Sequence, residues 1–174
     1  ETMTTSIILP FLVFFPFLGA VISYIIGRSN KGARDIWCWI LPGKILIMFS
    51  VASIPRQIPS GFWIPISGYS LRGFCGLGLS FAADGFGVIL AVLTGAIWLI
   101  TTIFSKEYMA AERNRNRYYF FVFLTLGATM GIFLSADLFT TFIFFEIMSF
   151  TSFVLVMHDE EDFTVRSAKT YLAV

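Results

Sequence analysis

Leu138-Phe139-Thr140-Thr141-Phe142-Ile143-Phe144-Phe145-Glu146-Ile147-Met148-Ser149-Phe150-Thr151-Ser152-Phe153-Val154-Leu155-Val156-Met157 decides how the chain is read. This apolar run holds a single charge, Glu146. As a helix rising about 1.5 Å per residue it covers about 30 Å, the thickness of a bilayer's hydrocarbon core. Glu146 then lies about 12 Å from one end and about 16 Å from the other. An acid at that depth is costly against lipid, so it is expected to face a partner, a cavity or an ion path. Its helical face holds Phe139, Phe142, Ile143, Ser149, Phe150 and Phe153, an aromatic surface with one hydroxyl a turn away. A carboxyl that loses and regains a proton there suits a proton relay. The plainer reading is an acid that only fixes helix packing.

The remainder of the chain matches that setting. Of 174 residues, 57% are hydrophobic and only 13% charged, where a soluble domain is nearer a quarter charged. The apolar runs are continuous rather than short and alternating, which favours helices over a closed barrel. The expected fold class is an all-α integral membrane protein. Phe is abundant, at 21 residues, which suits a packed helical bundle better than an enzyme cleft. A formal net charge of +1 gives no basic field for nucleic acid. Cys38 and Cys75 lack metal-site spacing and are expected on opposite membrane faces, so no disulfide joins them. The first apolar run is full length with no basic residues before it, so no ordinary cleavable signal is expected.

Five transmembrane helices are expected, at about residues 6–26, 36–54, 82–104, 118–134 and 138–157, with a sixth beginning near 163, all in one membrane domain spanning 1–174. Pro10, Pro16 and Gly19 in the first are tolerable in a membrane helix. A polar loop over 27–35 is expected before the second, which opens on the interfacial pair Trp37 and Trp39. Residues 55–81 carry Pro55, Pro59 and Pro65 with five glycines, and read as an irregular external loop with hairpin character. Gly73, Gly76 and Gly78 do not make a dinucleotide fingerprint. Nine Lys and Arg residues fall on the side of the first, third and fifth loops, against Arg56 and Arg72 opposite. The positive-inside rule then puts the N-terminus outside.

Several other residues invite a role. Lys44 is the other charge well inside a span, a relay or partner candidate, although its long stem also allows it to snorkel. His158 and the acids at 159–162 lie at the cytoplasmic mouth of the fifth helix, where His titrates near neutral pH and could gather protons. A solvated loop is the plainer reading. Asp84 and Asp137 stand where helices begin and read as structural N-terminal acids. Gly127-x-x-x-Gly131 is a close-packing motif, expected against the fifth helix or another subunit. One histidine cannot build a multi-His metal site, and no nucleophile motif or phosphate loop is present. No cofactor is expected, and no catalytic site.

The segment Gly131-Ile132-Phe133-Leu134-Ser135-Ala136-Asp137 leading into the Glu146 helix, with Phe145-Glu146-Ile147-Met148-Ser149, resembles the antiporter-like subunits of complex I, Mrp-type sodium/proton antiporters and membrane-bound hydrogenases. Leu79-Ser80-Phe81-Ala82-Ala83-Asp84-Gly85-Phe86-Gly87 is similar to that family's entry to its third helix. Arg166-Ser167-Ala168-Lys169-Thr170-Tyr171 is similar to the start of its sixth. The resemblance implies that Glu146 is the helix-five glutamate of ion translocation, paired with a lysine on a later, broken helix. It implies about fourteen helices in two inverted repeats. This chain ends at the start of helix six, so those lysine helices lie outside it, and Lys169 is not their lysine. Phe145 replaces the family's usual Trp. The expected function is the N-terminal part of an antiporter-like subunit in proton or Na+/H+ translocation. The expected partners are other membrane subunits supplying the missing helices and the lysine, with a redox module if the complex is an oxidoreductase or hydrogenase. The expected location is a prokaryotic cell membrane. The competing expectation is a non-transporting anchor subunit of such a complex.

Overall fold

The computed structural model describes residues 2–53, 66–74, 77–83, 85–111, 114–158 and 162–173. Asp84, Cys75 and the acids at 159–161 lie outside the described residues. The elements are α1 (Thr2–Ser29), α2 (Lys31–Ser53), β1 (Ile66–Phe74), β2 (Leu77–Ala83), α3 (Gly85–Tyr108), a 3-10 turn (Met109–Ala111), α4 (Arg115–Phe133), α5 (Leu138–Val156) and α6 (Asp162–Ala173). Among the described residues three helices are long and apolar enough to cross a membrane: α1 over Leu9–Ser29, α3 and α5. The protein is a helical membrane protein.

Two boundaries differ from expectation. The stretch 27–35 is not a loop: only Asn30 separates α1 from α2. Its side-chain oxygen accepts from the backbone N–H of Gly32 (3.0 Å) and Ala33 (3.3 Å), capping α2 at once. Polar residues at a membrane edge need not end a helix when a cap is at hand. The second difference is where the connection before α3 ends; its hairpin character is as expected. Strands β1 and β2 pair antiparallel, Tyr69 with Phe81, Ser70 with Ser80 and Leu71 with Leu79, with register shifts on either side of these pairs. Ala82 and Ala83, expected in the third helix, belong to β2, and α3 starts at Gly85.

Helices α1 to α4 close a ring in which α1 packs on α2 and α4, and α3 on α2 and α4. Two indoles lace the ring. Trp37 Nε1 donates to the Gly19 carbonyl (3.3 Å), and Trp98 Nε1 to the Val122 carbonyl (3.0 Å). Helix α4 is the hub: Tyr119, Val122, Phe123, Leu126, Ala128 and Met130 are all buried, along with Gly127 and Gly131. A helix buried almost all round has no need of a polar face. Helix α5 packs on the outside of α4, and α6 packs on α5.

Small residues make these approaches possible. A Cβ on Gly127 would run into the Phe17 ring of α1, and one on Gly131 into the Phe144 ring of α5. The two rings neighbour each other, with centroids 6.4 Å apart. The small-residue motif on α4 therefore receives one ring from each of two helices. The hairpin closes this cluster, since Phe81 is fully buried beside Phe144 (5.8 Å) and Phe14 (6.2 Å).

Candidate functional site

The site is built from the start of α5. Asp137 has an extended backbone (φ −138°, ψ 159°), and its carboxylate accepts the Thr140 N–H. That bond is 2.6 Å long. Thr140 in turn accepts the Ser80 N–H on its hydroxyl oxygen (3.0 Å). Backbone pairing joins the same pieces: the Ala82 N–H donates to the Leu134 carbonyl (2.9 Å) and the Ala136 N–H to the Ser80 carbonyl (2.8 Å). The Thr140 N–H and hydroxyl, with the Ser80 hydroxyl, hold the Asp137 carboxyl below its ordinary range. Asp137 thus caps α5 and ties it to β2.

From that anchor, one face of α5 turns inward. Thr140, Phe144 and Thr151 are buried against the bundle. The Thr151 hydroxyl lies 2.9 Å from that of Thr125 on α4, a buried link between the two helices. Glu146 is two residues beyond Phe144, about 200° further round at 100° per residue. The acid therefore stands on the flank of α5 facing away from α4, where it is exposed. It opens on a groove of about 940 Å³ between α5 and α6, lined by Phe145, Glu146, Ser149, Phe150, Ser167, Thr170 and Tyr171. Among the described residues Glu146 makes no hydrogen bond or ion pair. The wall is one carboxylate, four hydroxyls and two phenyl rings, with the Tyr171 ring behind its hydroxyl. Such a set is able to pass or hold a proton or a small cation once closed over.

The other candidates lie elsewhere. Lys44 is exposed on α2, a helix that packs on α1 and α3, while Glu146 sits beyond α4 on α5. The ring of helices does not bring them together. His158 is buried at the far end of α5, about 18 Å along the axis from Glu146. Its ring meets Tyr118 edge-on (5.7 Å), and its carbonyl accepts from Arg117 Nη2 (2.7 Å), so it fastens α5 to the start of α4. The hydroxyls of Ser167, Thr170 and Tyr171 were hidden in the sequence. Only their i, i+3, i+4 spacing on α6 marks a common face. Among the described residues no group of three or more His, Cys, Asp or Glu could hold a metal.

No family model matches the chain. A D-type Na(+)/H(+) antiporter subunit of Alkalihalophilus pseudofirmus is 25% identical over 172 residues, covering 99% of this chain and 34% of that protein. An A1-type Na(+)/H(+) antiporter subunit of Staphylococcus aureus is 26% identical over 144 residues, 83% of this chain and 18% of the relative. The chain thus spans about a third or less of the curated relatives it matches. The fold is shared with a chain of the membrane-bound sulfane sulfur reductase, an archaeal respiratory membrane complex, at a TM-score of 0.80 and 16% identity over 95% of this chain and 33% of that one. The antiporter-like resemblance of the Glu146 helix therefore extends along nearly the whole chain, whose homologues are Na(+)/H(+) antiporter subunits of the A and D types.

Proposed function

We propose that this chain is the N-terminal part of an antiporter-like subunit, acting in proton or Na+/H+ translocation within a multisubunit membrane complex. Glu146 is its intramembrane relay acid. The observation that carries this reading is the placement of Glu146: without an ion pair among the described residues, on the flank of α5 away from α4, at a groove walled by hydroxyls. A carboxylate at membrane depth without a partner is retained at a cost unless something meets it. The antiporter subunits it matches are longer than this chain, which supports further helices as that something. A basic side chain from those helices, in the same polypeptide or a companion subunit, is the expected counterpart. In this reading α2 and α4 also cross the membrane, giving five spans, and the end holding Arg34 and Lys106 faces the cytoplasm.

The anchoring alternative has one observation in its favour. Neither Lys44 nor His158 lies beside Glu146, so no relay is complete among the described residues. One experiment separates the two. Glu146→Gln is introduced into the whole complex, and ion-coupled proton movement is followed in vesicles. Assembly is expected to be intact and coupled movement lost. Transport at the unmodified rate would leave only the anchoring role.

A further inference from the structure

A second charged constellation lies far from Glu146, where α1 ends and α2 and α4 begin. Arg34 is 2% exposed. It donates to Asp35 Oδ1 from Nη2 (2.8 Å) and Nε (3.1 Å), and to Asn116 from Nη1, and it lies over the Tyr119 ring (5.4 Å). Asp35 also pairs with Arg115, whose Nη2 is 3.6 Å from Oδ2. The same Nη2 donates to the Lys106 carbonyl (3.2 Å). Arg115 Nε is buried with no hydrogen-bond partner among the described residues. Lys106 sits with Nζ 4.6 Å from the Trp39 ring centre.

Two arginines therefore share one carboxylate, with Lys106 a third cation close by. Asp35 is already engaged by two arginines, and exposed Glu107 makes no ion pair with any of the three among the described residues. Among the described residues positive charge remains in excess at a partly dry helix edge, where uncompensated charge is costly. An anion is the natural complement. The neighbouring surface says which kind. Ile36, Trp39 and Ile40 of α2 are exposed, as is Ile103 of α3 one turn before Lys106, whose Nζ lies over the Trp39 ring. A free phosphate has no use for that apolar wall, whereas a phospholipid uses both halves.

We propose that Lys106 and Arg115 bind the headgroup phosphate of an anionic phospholipid whose acyl chains lie on the exposed α2–α3 side chains. Arg34 holds Asp35 and Asn116 in place behind them without touching the lipid.

The complete polypeptide in its membrane complex tests this. It is titrated in detergent with phosphatidylglycerol, with phosphatidylcholine of the same chains, and with inorganic phosphate, and adducts are read by native mass spectrometry. Phosphatidylglycerol is expected to be retained saturably, and phosphatidylcholine far less. Lys106→Ala should lower retention about fivefold, the usual worth of one basic residue at an anionic surface. Lys106→Arg should restore it. Lys106 is exposed, so neither change disturbs the core. Equal retention of phosphatidylcholine, or retention unmoved by Lys106→Ala, overturns the proposal. Displacement of the lipid by millimolar inorganic phosphate overturns it too, because that outcome marks a free-anion site.

Discussion

A Cβ at Gly131 would fall within the ring of Phe144, which is 2% exposed and hemmed in by Phe14, Phe17 and Phe81. The ring has nowhere to go, so the helices must part. Gly131→Ala is expected to destabilise the protein by about 1–3 kcal/mol, the range for overpacking a filled core. Gly43 is the internal control, since a Cβ there meets nothing within 4 Å. Gly43→Ala should be neutral or stabilise by up to about 1 kcal/mol, the helix-propensity gain. Thermal melts of the purified protein check both, and equal behaviour of the two variants would refute the packing account. Residues differed in how openly the sequence displayed them. Glu146 was visible because one charge in a long apolar run has no cheap explanation. Arg34 was concealed: among Arg28, Lys31 and Asp35 it reads as solvated, yet the continuation of α1 and α2 past the polar stretch buries it. Gly27 makes room, because a Cβ there would meet Arg34 and Asn116. Ser167, Thr170 and Tyr171 carry no signature beyond spacing, and only the docking of α6 on α5 gives them a common purpose.

The elements were legible to the extent that hydrophobicity alone builds them. Among the described residues apolar runs marked where α1 to α5 lie; the prolines and glycines over 55–81 read as an irregular loop with hairpin character, and the strand ran on through Ala82 and Ala83. What holds the hairpin is not local. Its second strand borrows the backbone of the turn between α4 and α5, and Asp137 closes the junction. Loss of that carboxylate should cost about 1 kcal/mol, as for other N-cap residues. The pH dependence has a definite sign. The folded pKa of Asp137 is depressed from its ordinary 3.8, so its contribution is fully present above that value. It fades as pH falls from there through the folded pKa. Hydrogen–deuterium exchange at the first turn of α5 reads this directly. Exchange should quicken in Asp137→Ala at neutral pH, and in the unmodified protein only under acid. Asp137→Asn keeps an acceptor for the Thr140 N–H and should remove the acid sensitivity. An unchanged acid response in that variant would place the titration elsewhere.

Across the whole molecule the two ends are chemically unlike. One end gathers Arg28, Arg34, Lys106, Arg115 and Arg117, with the His158 carbonyl drawn in by Arg117. The other holds β2 and the turn from Leu134 to Asp137. In the proposed topology the basic end faces the cytoplasm, because Lys and Arg near helix ends are retained there. The fold adds a constraint absent from a bare charge count: Arg34 and Arg115 are bound together through Asp35 across α2 and α4, so these helices present their basic ends on the same side. Two exposed small residues report the two ends, Ala110 in the 3-10 turn after α3 and Ala136 in the turn before α5. Each is changed to Cys in the complete polypeptide after Cys38 and Cys75 are replaced by Ala and Ser. A membrane-impermeant maleimide is then applied to intact cells. Ala136→Cys should react from outside, and Ala110→Cys only after the membrane is opened. The reverse pattern would invert the topology. His158, expected at the cytoplasmic mouth of α5, would then lie at the outer one, while Glu146 stays roughly midway between the two ends.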